Sequence, residues 1–412
     1  MPDPLPIPAL EPAPQHPDPA VGRTWVVPDP STVILPPPPA DGFEEVGSGR
    51  TLDCDVVVVG SGPGGGSVAR VLAESGVDVV VVEMGPKANH FRPNYANVAR
   101  YHMQEAGTMV ARGSAPMPIA AGRGLGGSTL VNSALSFRAP QYVLDKWADH
   151  LDQPELAWAP MQALYDEVSR IVGVQVTREK VSGVNNDIIV RGLAKLGWEG
   201  GLAPRSTPGC VGCGVCYFGC PSRGKASTNL TFLPRAVRSG ARIQAEVKVT
   251  EVMVENDRAV GIRGVAIHPD TGAHGGLLTV RAKQVVVSAG AVGTPRLLWS
   301  SGLAERLGPH CGEHLQVHPG STIIAKCDFP VEMWKGATQG AYFHHPDLPG
   351  VLPHTFSAPP EACLVAAGFV GDRFQEGLAL LPNLCGMLLM VSDKGGGRVR
   401  AFSDGRADIT YT

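Results

Sequence analysis

Between Asp55 and Glu83 the sequence runs as one unit: the strand Asp55-Val56-Val57-Val58-Val59, the turn Gly60-Ser61-Gly62-Pro63-Gly64-Gly65, a helical stretch, a second valine strand and a terminal carboxylate. An unbroken valine run reads as a strand covered on both faces, the habit of a parallel sheet. Gly60 suits the tight turn out of that strand, and Gly62 lets backbone approach a pyrophosphate. Gly65 lets the helix lie close to the strand, with its first N–H groups facing phosphate. Ser61 and Pro63 complete the loop. Glu83 stands eighteen residues past Gly65, where it can accept hydrogen bonds from ribose hydroxyls. A glycine-rich surface turn is the alternative, but it leaves the flanking strand, the helix and the acid unexplained. The unit predicts a Rossmann-like dinucleotide-binding domain. NAD and FAD both present an ADP half, so this segment does not choose between them.

The rest of the composition bounds the fold rather than choosing it. A chain of 412 residues exceeds what one core usually supports, so two domains are expected. The net charge of −3 gives no electrostatic reason to expect nucleic acid. No stretch approaches the roughly 20 apolar residues of a membrane span. Residues 1–50 show neither a basic segment followed by an apolar one nor a twin arginine, so the expectation is a cytoplasmic protein. Nine cysteines, an odd number with four of them clustered, do not resemble a secreted disulfide framework. The first 48 residues are rich in proline, including Pro36 to Pro39 in succession, and read as an extended tail.

A second informative run is Ala121-Gly122-Arg123-Gly124-Leu125-Gly126-Gly127-Ser128-Thr129-Leu130-Val131-Asn132. Small residues followed by hydroxyls and an amide suggest main chain packed on a flat ligand, with Ser128, Thr129 and Asn132 offering hydrogen bonds. A third is Ser288-Ala289-Gly290-Ala291-Val292-Gly293-Thr294-Pro295-Arg296-Leu297-Leu298-Trp299-Ser300-Ser301-Gly302-Leu303. These two runs resemble, in order, the two signatures of the glucose-methanol-choline (GMC) oxidoreductases, the FAD-dependent alcohol oxidases and dehydrogenases. The second departs only where Ala304 replaces a usual glycine. The resemblance extends from about Asp53 to the last residue.

That resemblance implies FAD rather than NAD, with the pyrophosphate at Gly60, Gly62 and Gly65 and the ribose at Glu83. It places Gly124, Gly126, Gly127, Ser128 and Asn132 along the ribityl chain and isoalloxazine ring. Val249, in the strand Val247-Lys248-Val249-Thr250-Glu251-Val252, matches a position whose backbone meets adenine, although an alternating strand is equally ordinary sheet core. Ala289 and Gly290 match the strand end that returns beside the cofactor. The expected architecture is α/β, an FAD/NAD(P)-binding Rossmann-like domain with a second, antiparallel-sheet substrate domain incomplete at its C-terminus. Residues 49–145 and 241–312 would make the first, 146–240 a helical region carrying the cysteines, and 313–412 the second.

Cys210, Cys213, Cys216 and Cys220, followed by Pro221, have the spacing C-x2-C-x2-C-x3-C-P that bacterial ferredoxins use for iron–sulfur clusters. Four thiolates could ligate one cluster, but the fourth cysteine of that run serves a second cluster in two-cluster ferredoxins, and no second run exists here. Structural zinc sites usually separate two close pairs by a longer loop. A metal-free loop of reduced thiols is the other reading. Some dehydrogenases resembled here carry a cluster in such a segment, and others keep cysteines without one.

His314, His318, His344 and His345 read as structural, and Trp334, Tyr342 and Phe343 as chamber lining or plain core. From about Ser321 the sequence alternates as an antiparallel sheet should, with strands at Met387–Val391, Val399–Phe402 and Ala407–Thr412. In the family the proton-accepting histidine, its histidine or asparagine partner and a last flavin-binding segment follow this point, so no catalytic base is assigned. A fragment or split form of a longer enzyme is expected, with a complementary C-terminal piece as partner. The expected function is hydride transfer from the CH–OH of a small-molecule alcohol to flavin N5, with oxygen or an external acceptor taking the electrons. The alternatives are an inactive flavin-binding or iron–sulfur electron-transfer subunit, and a different FAD enzyme such as a ketosteroid dehydrogenase or disulfide reductase.

Overall fold

A computed structural model describes residues 49–87, 94–345, 347–348, 350–402 and 405–412. The proline-rich tail, expected over residues 1–48, lies outside the described residues. The chain divides into two compact units, each built from separate stretches. The described part of one comprises residues 49–131, 227–317 and 394–412; the other comprises 132–226 and 318–393.

The first unit is built on a six-stranded mixed sheet. Its strands are β1 (Arg50–Val59), β2 (Val79–Val82), β3 (Arg242–Gln244), β4 (Val247–Glu255), β5 (Arg258–Ile267) and β6 (His274–Val287), in the spatial order β3-β2-β1-β6-β5-β4. β1 runs parallel to both β2 and β6, in register Val59↔Val82 and Val59↔Val287, while β4, β5 and β6 form an antiparallel meander. Alternate valines serve opposite faces, as the two-residue strand period requires. Val56, Val58, Val79 and Val81 pack with Ala69 and Ala73 of helix α1 (Pro63–Glu74) and with Leu233 and Ala236. Val57, Val59, Val80 and Val82 pack with Ile262, Val280 and with Leu297 of helix α2 (Gly290–Ser300). Both faces are covered, which is why these strands carry no polar alternation.

The last nineteen residues differ from the expected single block at 313–412. The hairpin Gly397–Ala401 and Ala407–Tyr411 joins the first unit, where Thr410 pairs with Arg112 in a parallel arrangement. Val399, Ile409 and Tyr411 close a core with Met109, Ala111, Val292 and Leu315. Period-two alternation identifies a strand but carries no information about which strand it will pair with.

The second unit holds a five-stranded antiparallel sheet, ordered Gly320–Lys326, Leu384–Val391, Val351–Thr355, Ala341–Phe343 and Gly200–Leu202. Its core is Val331, Met333, Cys363, Leu364, Phe369, Leu381 and Leu384. The helix Val184–Leu196 is tied on through buried Asn185, which donates to Phe356 O and Gly386 O at 2.9 and 3.0 Å and accepts from Gly386 N at 2.9 Å. No helix among the described residues is long and apolar enough to cross a membrane.

Candidate functional site

Within the first unit, the sequence-predicted loops converge at the C-terminal ends of β1 and β2, where open α/β sheets bind ligands. Gly60 turns at φ +100°, and a methyl built there would lie 2.4 Å from Ser288 O and 3.3 Å from Ala289 Cα. Ser288 N in turn donates to Val59 O at 2.8 Å, so the end of β6 and the start of α2 lie against the first turn. A methyl on Gly65 would sit 1.9 Å from Gly60 O, and one on Gly127 would sit 2.8 Å from Gly62 Cα. Gly60, Gly62, Gly65, Gly127, Ala289 and the adjoining Gly290 are thereby brought together by main-chain contact alone.

Glu83 is 5% exposed and turned into these loops. Its Oε2 accepts from Ser61 N at 3.1 Å and Ser61 Oγ at 2.6 Å; its Oε1 accepts from Gly85 N at 2.8 Å and Gly124 N at 3.3 Å. Ser61 Oγ also accepts from Gly126 N at 3.1 Å. Four acceptances fill a carboxylate's lone pairs. Here Glu83 and Ser61 brace the first loop against the second, so a ribose hydroxyl would have to displace the 3.3 Å contact to Gly124 N. The main chain around Glu83 also meets the start of β4: Glu83 N donates to Gln244 O and Val247 N to Glu83 O, at 2.8 and 3.0 Å. Val249 follows two residues on, half-buried against the second-face core.

Ser128 Oγ accepts from Gly122 N at 2.8 Å, which closes the second loop on itself. Asn132 lies in the other unit, where its carbonyl accepts from Lys225 Nζ at 2.7 Å. Pro63 occupies the first turn of α1, a position where its missing N–H costs nothing.

Three observations fit this cradle to an anionic dinucleotide. The start of α1 has no side-chain cap and no acidic residue in its first turn. The loops come too close for a side chain at Gly127, whose methyl would lie 2.8 Å from Gly62 Cα. Arg123, which the sequence reading quoted but did not assign, has a buried Nε without a hydrogen-bond partner. Burial pulls the Arg123 guanidinium below its usual value, against the opposing pull of Glu83 and Glu246. A cation inside a glycine run was the signal available in the sequence.

In the second unit, Cys210, Cys213, Cys216 and Cys220 line one small recess together with Lys225, Gly336 and Ala337. The segment is pinched by main-chain approach: a methyl on Gly224 would lie 2.1 Å from Gly209 O, and Gly336 N donates to Gly212 O at 2.8 Å. Sulfur atoms accept from Gly212 N (Cys210, 3.4 Å), Lys225 N (Cys220, 3.2 Å) and Arg205 Nη2 (Cys216, 3.2 Å). Burial alone would push the Cys216 thiol up, but Arg205 and Lys225 hold it below its usual value. Cys213 is pushed up, by burial first and then by the other three sulfurs. Among the described residues no three His, Cys, Asp or Glu side chains are grouped to hold one metal ion. The thiols are spread around the recess, a donor set that does not suit a single zinc.

A buried polar chain in the same unit escaped the sequence reading. Ser133 Oγ donates to Gln339 Oε1, Gln339 Nε2 lies 2.5 Å from His354 Nε2, and His354 Nδ1 lies 2.9 Å from Leu388 O. A carbonyl only accepts, so the imidazole proton is on Nδ1, and burial lowers the His354 pKa in agreement with a neutral ring. Of the aromatics, Tyr342 packs edge-on to Phe137 at 4.8 Å, and Phe343 tilts against Trp198 at 5.7 Å. His314, at φ +61°, lies in the first unit with its ring 5.6 Å from that of His310, whereas His318 lies in the second.

The family described as GMC oxidoreductase matches residues 99–320, more than half of the chain. The chain belongs to the GMC oxidoreductases. A second family, described as an FAD binding domain, matches residues 53–109, and the cofactor is FAD. An uncharacterised GMC-type oxidoreductase of Mycobacterium tuberculosis is 36% identical over 355 residues, covering 84% of this chain and 54% of that protein. A long-chain-alcohol oxidase of Arabidopsis thaliana is 29% identical over 367 residues, covering 84% and 48%. The chain thus spans about half the length of the curated relatives it matches. Among solved structures, pyridoxine 4-oxidase from Mesorbium loti has a TM-score of 0.64 at 18% identity, covering 86% of this chain and 75% of its own. Formate oxidase of Aspergillus oryzae has a TM-score of 0.61 at 15% identity, covering 87% and 77%. These two likenesses establish the GMC fold: an α/β FAD domain joined to a sheet domain.

Proposed function

We propose that this GMC chain is the cofactor-holding part of an FAD-dependent oxidoreductase acting on CH–OH groups. The observation that carries the reading is the meeting of Gly60, Gly62 and Gly65 with Gly127 and Ala289, main chain from three separate motifs at one end of one sheet. FAD, when bound, supplies a ring that accepts a hydride from the carbinol carbon. The chain's own part is to hold it: α1 directs uncapped N–H groups at the pyrophosphate, Arg123 adds positive charge, and Glu83 with Ser61 fixes the spacing of the two loops. Ser128 is proposed to face the ribityl chain and ring, and Val249 the adenine. No base is assigned among these residues. The substrate is proposed to be an alcohol, by likeness to relatives named for long-chain alcohols, with oxygen or another acceptor completing the cycle.

A second reading, an iron–sulfur electron-transfer subunit, is favoured by the four thiols around one recess. Both readings need FAD, and one experiment separates them. The FAD-loaded chain is mixed anaerobically with primary alcohols of increasing chain length, alone and with any complementary downstream segment supplied. Bleaching of the flavin absorption supports the first reading. Stable FAD binding with no bleaching by any alcohol, and reduction by a one-electron donor instead, supports the second.

A further inference from the structure

In the second unit two cysteines outside the recess meet: Cys327 Sγ lies 3.7 Å from Cys385 Sγ. Strand register explains the meeting. Ala325 of the strand Gly320–Lys326 pairs with Cys385 of the strand Leu384–Val391, and Cys327 N, one residue past the first strand, donates to Asn383 O at 2.8 Å. Positions 327 and 385 are therefore diagonal neighbours on one face of two antiparallel strands, within reach of each other's side chains. Both are half-buried, at the rim of the core that holds Val331, Leu381 and Leu384, so a small solute can reach them. Asp328, Phe329 and Pro330, which follow Cys327, are exposed and leave that end of the strand room to shift. The other thiols are engaged differently: Cys363 Sγ donates to Ala358 O, and the sulfurs of Cys210, Cys216 and Cys220 accept from N–H groups.

Two sulfurs 3.7 Å apart must close by about 1.7 Å to reach the bond length of a disulfide, roughly 2.05 Å. We propose that Cys327 and Cys385 are a modification site for hydroperoxides, closing to a reversible disulfide that staples the edge strand of the five-stranded sheet to its neighbour. Burial first, and then the Cys327 sulfur, raise the Cys385 pKa to about 11. Cys385 thus keeps its proton, and Cys327, whose S–H donates to it, is the sulfur oxidised first. The Cys327 sulfur attacks the terminal peroxide oxygen, the O–O bond breaks, and the thiol proton leaves with the alcohol, or with water where the oxidant is hydrogen peroxide; Cys327 becomes a sulfenic acid. The Cys385 sulfur then attacks that of Cys327: the S–S bond forms, the S–O bond breaks, and the hydroxyl leaves with the Cys385 proton as water. In sum the two thiols lose two electrons and two protons, and the hydroperoxide gains both. The bridge joins positions 58 residues apart and encloses Gln339 and His354, which restricts the unfolded chain. The reaction uses no flavin, so it stands or falls apart from the FAD reading.

The test uses the full chain, purified reduced, freed of reductant and treated with a small excess of hydrogen peroxide. Remaining thiols are alkylated, the protein is digested without reduction, and the peptides are read by mass spectrometry. The expected result is a linked pair of peptides carrying Cys327 and Cys385, formed at least about tenfold faster than buried Cys363 is oxidised and returned to two thiols by dithiothreitol. Cys385→Ser is expected to hold Cys327 as a sulfenic acid that dimedone captures, whereas Cys327→Ser leaves Cys385 a free thiol under the same treatment. If a serine variant does not fold, Cys385→Ala or Cys327→Ala carries the comparison, and the wild-type peptide map decides without any variant. Peroxide that leaves both residues as thiols, that drives either to a sulfinic acid without the link, or that joins cysteines of the recess in its place overturns the proposal. Dimedone capture at Cys385 in Cys327→Ser overturns the order of the two steps.

Discussion

Replacing Gly65 by alanine would put a methyl carbon 1.9 Å from Gly60 O and 3.2 Å from Val58 Cγ1. Neither neighbour can give way easily, because Gly60 N is hydrogen-bonded to Val82 O at 2.8 Å and Val58 is wholly buried. Relief must come from α1, which has to retreat by about 1.5 Å, the gap between 1.9 Å and the 3.4 Å at which contact becomes ordinary. Overpacking of this kind costs about 1–3 kcal/mol, and alanine returns about 1 kcal/mol through helix propensity. The fold should therefore survive with a loss of at most about 2 kcal/mol. Cofactor binding should not escape so lightly, since a retreat of that size takes the first N–H groups of α1 out of hydrogen-bonding range of the pyrophosphate. Two lost hydrogen bonds to a charged group, at about 1.5–3 kcal/mol each, correspond to a roughly 10²- to 10⁴-fold weaker Kd at 1.4 kcal/mol per decade. Flavin fluorescence quenching measures Kd, and urea unfolding reports the stability. As a control, Gly192→Ala adds a methyl that meets no atom within 4 Å in the helix Val184–Leu196, and should stabilise by up to about 1 kcal/mol with Kd unchanged. A Gly65→Ala protein with wild-type FAD affinity would refute the reasoning.

Glu83→Gln is nearly isosteric but puts an NH2 where an oxygen now accepts, either from Ser61 or from Gly85 and Gly124. Losing two charge-assisted bonds should lower the unfolding free energy by about 3 kcal/mol and weaken FAD binding, and a urea midpoint equal to wild type would show that the brace carries no load. Cys363 is buried, its Sγ donating to Ala358 O at 2.9 Å, and burial pushes its pKa from 9.0 up to about 11. The folded pKa lies above the unfolded one, so this contribution is complete below pH 9 and disappears as pH rises to 11, amounting to about 3 kcal/mol on an order-of-magnitude basis. Cys363→Ala should accordingly lose less stability between pH 9 and 11 than wild type, read from urea midpoints at the two values; equal losses would contradict it. Arg296→Met would strand Glu105, which Arg296 pairs with at 2.8 Å in a mostly buried setting. A loss of about 1–3 kcal/mol is expected by calorimetry, and no loss would show the pair to be idle.

How far the sequence could be read followed the range of each interaction. The Asp55–Glu83 unit was legible because its signals are local: a valine run, glycines at fixed offsets and an acid at a set distance. The role of Glu83 within its own chain was not, since Ser61 and Gly124 lie 22 and 41 residues away and only folding shows that they fill its lone pairs. The strand Ala407–Tyr411 was legible as a strand, but its partner Val110–Gly113 lies almost 300 residues earlier, and no local pattern names it. Cysteine spacing pointed to the recess, yet Arg205 and Lys225 went unnoticed: set among prolines, glycines and serines, they look like solvated loop residues. Their burial follows from Ser133, Asn132 and Gly336, none of which adjoins them in sequence.

The central claim, that main chain from the Gly60 turn, the Gly127 loop and the start of α2 clasps FAD, is tested most directly by isothermal titration calorimetry. FAD is titrated into the purified chain, first shown to be folded by circular dichroism. The account predicts saturable binding of one FAD per chain, abolished or greatly weakened by Gly65→Ala. A folded chain that takes up no FAD, or takes it up equally well with alanine at position 65, would contradict it.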